Sequence, residues 1–262
     1  MSEEQRQETP EQWKRRSFIA FGVLGAFGAV VYGLQRWISG AQDVSGVQGP
    51  LRTALDFSDG AGQLLKDDAH LAPEYPITMA APKPRVNGKI GLAPTLDAAQ
   101  WRLNVRSNGP AGDLSLTLDD LKALPRTEVC FDFKCIEGWN EISHWGGVRL
   151  SDLAEHYHLG TRNGAVPRQD EPADRYAYAA LTTPDAKYYV GIDMKSAMHP
   201  QTILCYEMNR APLTADHGAP LRLIIPTKYG VKNLKCIGTL AFTDERPPDY
   251  WAERGYGYDA GL

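Results

Sequence analysis

Beyond residue 100 the chain returns repeatedly to a two-residue alternation of apolar and polar side chains, in stretches too short for helices and divided by turn residues. In "QWRLNVRS", Trp101, Leu103 and Val105 share one face, the period of a half-buried strand. "TEVCFDF" sets Val129 and Phe131 on one side and Cys130, Asp132 and the following Lys134 on the other. "RYAYAAL" and "KYYVGID" pair as strands across Thr183-Pro184-Asp185, and "TILCYEMN", "LRLIIP" and "CIGTLAF" supply three more. Helical pattern is sparse. One or two turns follow Thr117, whose hydroxyl suits an N-cap, with Pro125 as a stop; "RLSDLAEHYHLG" (149–160) is amphipathic and closes at Gly160. There is no repeat at solenoid spacing. Many short strands with a few helices beside them specify an α+β fold with mixed sheets rather than a wound parallel sheet.

Composition narrows the function. With 262 residues, 43% hydrophobic and 23% charged, the chain can bury one good-sized core. A formal charge of -4, with no basic run beyond Lys14-Arg15-Arg16, excludes nucleic acid as a partner, whose phosphates demand a basic face. Cysteines 130, 135, 205 and 236 form no Cys-x-x-Cys pair and have no histidine at zinc-finger spacing, so neither a structural zinc site nor a set of disulfides is indicated.

The front end is an address. In "KRRSFIAFGVLGAFGAVVYGLQRWISGA" three cations precede an uncharged apolar run from Phe18 to Leu34, a positive-inside membrane signal. As a helix the run spans roughly 25 Å, slightly short of a ~30 Å hydrocarbon core. Ser39-Gly40-Ala41 offers small residues for a signal peptidase, so a retained anchor and a cleaved signal both stand. Arg15-Arg16-Ser17-Phe18-Ile19 resembles the twin-arginine export motif, with Lys14 and Ala20 departing from its usual flanks. That resemblance implies export of a protein already folded around a cofactor, to the periplasm or the outer face of a bacterial membrane. The organisation expected is a signal or anchor over 1–40, a linker that wraps the surface over 41–84, with prolines at 73, 76, 82 and 84, and a domain over 85–262.

Chemistry centres on "FDFKCIEGWN" (131–140), where Cys135 stands as a strand runs into a loop beside Gly138-Trp139. A strand-end position, a flanking Lys134 that favours the thiolate and a neighbouring turn suit a reactive sulfur, where an ordinary cysteine is a small buried hydrophobe. A Cys-dependent hydrolase needs a partnered histidine, and none of the six announces itself by motif. In "TKYGVK" (227–232), Lys228 and Lys232 bracket Gly230, whose backbone allows close approach by an anion; an ordinary basic turn is the bland alternative.

The wider pattern carries a family resemblance. "FDFKCIEGWNEISHWGGVRLSDL" resembles the cysteine-loop segment of the sulfite oxidase family of molybdenum enzymes, and "LCYEMNRAPLTADHGAPLRLIIPTKYGVKNLKCIGTLAFTDERPPDYWAERGY" resembles that family's later elements in order. Closest in pattern is the catalytic subunit of periplasmic methionine sulfoxide reductases. The resemblance implies a molybdenum-molybdopterin cofactor with Cys135 as metal ligand and catalytic residue, a soft thiolate joining the pterin dithiolene. It implies cofactor contacts at Asn87, Thr183, His217, Arg222, Lys228, Gly230, Val231 and Lys232, although the Tyr-Glu that adjoins the Asn in that branch is missing here. Glu137, Trp139, His144 and Trp145 are expected to shape the pocket. The implied activity is two-electron oxygen-atom transfer: reduction of a small-molecule or protein-bound sulfoxide with electrons from a membrane haem or quinol-linked partner. Sulfite oxidation is the alternative, for which Lys134, His144 and Arg149 are the nearby cations, and a cofactor-free binding module that keeps the fold is the other.

Overall fold

The computed structural model describes residues 26–44, 46–65, 71–93, 96–107, 109–167 and 174–262. Chain contacts divide it into two units, Met1–Ala54 and Leu55–Leu262. In the first, residues 26–39 are helical, and a two-residue antiparallel pair follows, β1 (Asp43–Val44) with β2 (Val47–Gln48). Arg15, Arg16 and the start of the apolar run lie outside the described residues, and no helix among those described is long and apolar enough to cross a membrane.

The stretch expected as linker contains a 17-residue helix, α1 (Gly49–Leu65). Pro50 stands in its first turn, where a missing N–H removes nothing. The four prolines named above all follow it. Residues 72–81 then lie along a sheet, with Tyr75 N donating to Cys130 O at 2.8 Å and Ala81 N to Ile142 O at 2.9 Å.

The second unit is built on two five-stranded sheets. One has the order β10 (Ala211–Pro212), β9 (Ile203–Met208), β6 (Asn140–Arg149), β5 (Arg126–Lys134), with β11 (Arg222–Ile224) also paired to β9. The other runs β4 (Leu114–Leu116), β3 (Leu103–Arg106), β12 (Thr239–Thr243), β7 (Tyr178–Thr182), β8 (Tyr189–Asp193). Every neighbouring pair is antiparallel except β12 with β3, so the mixed α+β class expected from the alternation is the class observed. β7 and β8 pair across residues 183–188, and Thr117 caps α2 (Leu118–Lys122) with a reciprocal bond from Asp120. α3 is shorter than its pattern, Leu150–His156, and α4 covers Met194–Ala197.

The main core lies between the sheets. Leu103 and Val105 of β3, Leu181 of β7, Ile192 of β8, Leu204 and Tyr206 of β9 and Leu240 of β12 meet there. A second cluster, Val129, Phe131, Trp145, Ile203, Cys205, Met208 and Ile224, covers the opposite face of the first sheet. β9 serves both faces by alternating, and a bulge opposite Gly146-Gly147 breaks the alternation. The register moves from Gly146↔Glu207 to Gly147↔Cys205, so Met208 joins Cys205 on one face instead of opposing it. β6, the longest strand among the described residues, was not visible in the sequence pattern, because "NEISHWGGVR" lacks clean alternation. Gly147 is there for space. A Cβ on it would stand 2.2 Å from Leu204 O and 2.7 Å from Cys205 Cα.

Beneath the turn at 230–232 lie two buried ammonium groups. Lys228 pairs with Asp259, and with Asp193 at 3.3 Å; Lys232 pairs with Asp249 and donates to Gly191 O at 2.8 Å. Burial lowers the Lys232 pKa, opposed by the neighbouring Asp249. These pairs fasten the turn to β8 and to the C-terminal segment.

Two expectations follow for denaturant titration. Gly147→Ala should lose ~3 kcal/mol, because the new methyl meets backbone that cannot yield. Lys232→Met should lose about 3–5 kcal/mol by stranding the Asp249 carboxylate, and equally so with or without any bound anion; a loss confined to anion-bound protein would contradict a structural role.

Candidate active site

Cys135 sits at the tip of the β5–β6 hairpin. The ladder closes at Lys134↔Asn140, and the five residues between are held by Cys135 N donating to Trp139 O at 2.9 Å and Gly138 N to Cys135 O at 3.0 Å. Gly138 takes φ 88°, a conformation that favours glycine, which is why the loop can fold back so tightly. The thiol is 8% exposed and faces a cavity of about 170 Å³.

Four parts of the fold converge on that cavity. The hairpin supplies Phe133, Cys135, Glu137, Trp139 and Trp145; the 85–93 segment supplies Arg85, Asn87 and Ile90; the stretch 217–235 supplies His217, Arg222, Gly230, Val231 and Lys235; and the C-terminal region supplies Trp251 and Tyr256. Asn87 Nδ2 stands 3.8 Å from Cys135 Sγ and donates to Glu137 Oε2 at 3.1 Å, which also accepts from Trp139 Nε1 at 3.1 Å. The β9 bulge sends Met208 to the same wall.

The electrostatics are lopsided. Arg222 is 3% exposed and stacks 4.5 Å over Trp145; its Nη atoms donate to His217 O and Asn233 O, while the buried Nε has no partner among the described residues. Burial pulls its pKa down to about 10. Lys235 donates to three backbone carbonyls, those of Asn87, Gly88 and Asp216, and to no carboxylate among the described residues; burial and Arg222 bring its pKa down to about 8. Burial, Arg222 and Lys235 push the His217 imidazole below its usual range, toward the neutral form. Arg222 and Lys235 thus line the cavity wall with no carboxylate bonded to either among the described residues.

The structure brings Cys135, Asn87, His217, Arg222, Gly230 and Val231 together. Thr183 lies outside the cavity, 2% exposed, its Oγ1 bonded to Asp185 and covered by Gly91. The ammonium groups of Lys228 and Lys232 point into the carboxylate pairs already described, not into the cavity, so the anion concavity expected of them is not formed by their side chains. Lys134 does not flank the thiol: strand alternation turns it into a separate cavity on the far side of β5, lined by Lys195, Thr227 and Asp259 among others. His144 points toward Glu128, 3.6 Å away, and Arg149 donates to Pro200 O. Two further cations that line the site beside Arg222, namely Arg85 and Lys235, escaped sequence reasoning. The one available signal for Lys235 was a lysine in "VKNLKC" with no acidic residue near it in the chain. Sγ has Asn87 as its bonded neighbour rather than a histidine, which leaves the Cys–His pair of a hydrolase unformed. All four cysteines are free thiols.

Among the described residues no cluster of three or more His, Cys, Asp or Glu side chains is placed to hold a bare metal ion. One thiolate suffices only for a metal that brings other donors with it. The residues fit a molybdenum pterin in that respect: one soft sulfur, an unpartnered buried Nε, and two cations with no carboxylate bonded to them among the described residues. The volume is below the ~300–1,000 Å³ usual for pockets of this kind.

Comparison with known proteins agrees with this chemistry. The family profile described as "Oxidoreductase molybdopterin binding domain" matches residues 90–251. A protein of Azospira oryzae provisionally named protein-methionine-sulfoxide reductase subunit YedZ1 is 33% identical over 222 residues, 84% of this chain and 79% of that protein. The protein-methionine-sulfoxide reductase catalytic subunit MsrP of Campylobacter jejuni is 31% identical over 66% of this chain and 60% of its own length. That of Xanthomonas campestris is 30% identical over 61% and 50%. The matched region thus spans 50–60% of the length of these two relatives. In the sulfane dehydrogenase SoxCD of Paracoccus pantotrophus, 58% of this chain and 40% of that one superpose with a TM-score of 0.48 at 19% identity. The chain belongs to the family of molybdopterin-binding oxidoreductase domains.

Proposed function

We propose that the protein reduces an S-oxide at a molybdenum pterin held through Cys135, with electrons from a separate partner. The family's cofactor, when bound, supplies a metal able to exchange an oxygen atom and two electrons with a substrate. In the net reaction the S–O bond breaks, sulfur gains two electrons, and the oxygen leaves as water with two protons. Everything else falls to the chain. Cys135 Sγ is the one thiol facing the cavity and serves as the metal's protein ligand. Arg222 Nε and Lys235 Nζ are positioned for the cofactor's anionic end, and the backbone at Gly230 and Val231 lines the same wall, pinned by Tyr188 Oη donating to Val231 O at 2.6 Å. Thr183 reaches the cofactor only if the segment over it moves.

The observation that carries the substrate assignment is the Cys135–Asn87–Glu137 arrangement. The amide that reaches Sγ is held by a carboxylate, so the ground next to the metal ligand carries a negative charge. A neutral sulfoxide tolerates that, whereas a sulfite dianion is repelled. Ile90 and Ile136, 39% and 37% exposed, give the mouth an apolar lip suited to the carbon flanks of a sulfoxide. The relatives' names point the same way. Arg85, stacked 4.8 Å over Trp139 at the cavity, is the feature that favours sulfite as the second reading. Export through the Arg15-Arg16 segment, with or without retention of the apolar run as a membrane anchor, would set the enzyme on the periplasmic side beside a membrane haem or quinol-linked donor.

Purified enzyme is expected to oxidise reduced viologen with methionine sulfoxide and to reduce ferricyanide with sulfite far more slowly. Activity in the second assay alone would overturn the substrate assignment. Cys135→Ser should lose both.

A further inference from the structure

The outer rim of the cavity carries an inference that rests on the S-oxide reading above and extends it to what the S-oxide is attached to. Residues 83–90, "KPRVNGKI", border the entrance, and in them cations and apolar side chains alternate. Lys83, Arg85 and Lys89 are exposed, as are Val86 and Ile90. Arg85, Gly88 and Ile90 line the cavity itself, which fixes the segment at its mouth, and Ile136 adds an exposed apolar side chain from the hairpin tip.

Three cations within seven residues stand against a formal net charge of -4 for the whole chain. No ion pair joins them to a carboxylate among the described residues. Two carboxylates are near, and both are engaged by other groups: Glu141 accepts from Arg85 N at 2.9 Å, and Glu137 from Asn87 and Trp139. The Arg85 guanidinium is placed by the Trp139 ring, 4.8 Å away, and not by an acid. Beside Cys135 Sγ the nearest charge is therefore that of Glu137, whereas the outer rim is cationic. A small sulfoxide meets only the inner part. In a polypeptide the residues on either side of an oxidised methionine lie over the rim as well, and the six steps from Lys83 to Lys89 span at most about 20 Å, the reach of about six extended residues. A basic and apolar surface also suits an anionic bilayer, but a bilayer lying here would cover the entrance to the Cys135 cavity.

We propose that Lys83, Arg85 and Lys89, with Val86 and Ile90 between them, form a docking rim that selects oxidised methionine in extended polypeptide segments with acidic flanks. The cations attract the flanking carboxylates, and the apolar side chains cover the carbon surface of the bound segment. Exposed ion pairs are individually weak, each worth less than about fivefold in affinity, and salt screens them. The rim therefore sets KM and leaves kcat to the inner site.

The test uses holoenzyme from a cofactor-competent host, with reduced viologen as donor. The probes are synthetic nonapeptides with one central methionine sulfoxide flanked by glutamate, serine or lysine, beside free methionine sulfoxide. At low ionic strength KM for the glutamate-flanked peptide should lie about fivefold below that of the serine-flanked one, with the lysine-flanked one above both and kcat equal throughout. In about 0.5 M salt the spread should shrink to roughly twofold or less. Lys83→Glu combined with Lys89→Glu should invert the order, and Lys83→Arg combined with Lys89→Arg should keep it. A wild-type KM indifferent to flank charge overturns the proposal, and so does a folded double glutamate variant that keeps the wild-type order; if that variant does not fold, the wild-type series and its salt dependence decide. Wild-type binding to phosphatidylglycerol vesicles that the double glutamate variant loses, with all peptides treated alike, gives the rim to a membrane and overturns the proposal too. Turnover of free methionine sulfoxide with no peptide accepted overturns the rim alone, whereas no turnover of either removes the S-oxide reading and the rim with it.

Discussion

Arg222 lies inside the protein with Trp145 against its face and no carboxylate bonded to it among the described residues. Burying a charge without a counter-charge costs several kcal/mol even after relaxation. Part of that cost shows as the fall of its pKa to about 10, and at neutral pH the guanidinium still carries its charge. Lys235 adds a second cation to the same wall. An anionic group bound in the cavity would complete such an arrangement.

The contrast with Lys228 and Lys232 sharpens the point. Those two ammonium groups are as deeply buried, yet each has its own aspartate, and the pairs are spent on fastening the 230–232 turn to β8 and the C-terminal segment. The chain thus uses its lysines in two ways within eight residues, two fully buried and one half-buried. Paired ones fix the backbone that lines the site, and the one bonded only to backbone carbonyls lines the cavity. The thiol follows the same division. Cys205, 0% exposed and with burial pushing its pKa up to about 12, is core filling, while Cys135 is set by the closing bonds of a hairpin at a cavity wall.

Much of the scaffold could be read from the chain because alternation is a local signal. The faces of β3 and β5, the pairing of β7 with β8, the Thr117 cap and the strand-end position of Cys135 all follow from residues within a few positions of one another. β6 did not, because Gly147 is required by the backbone of β9, some 60 positions later, and a glycine chosen for close approach looks the same as one chosen for a turn. Helix α1 was hidden by the Gly/Asp/Ala-rich text around it, with its proline standing where a helix accepts one. Site composition was legible through family resemblance for Cys135, Asn87, His217, Arg222, Gly230 and Val231. The lysines were misassigned for a physical reason: a sequence displays charge but not the partner that neutralises it. Asp249 and Asp259 meet Lys232 and Lys228 only after folding, and Lys235 is distinguished by a partner it lacks.

The central claim is that Cys135 Sγ is bonded to a molybdenum atom carried by a pterin. X-ray absorption at the molybdenum edge, on enzyme purified from a cofactor-competent host, tests it most directly. Two sulfurs from the dithiolene and a third from the protein are expected in the wild type, with the third lost in Cys135→Ser while the other two remain. A spectrum with only two sulfurs in the wild type, or with all three still present in Cys135→Ser, would contradict the account.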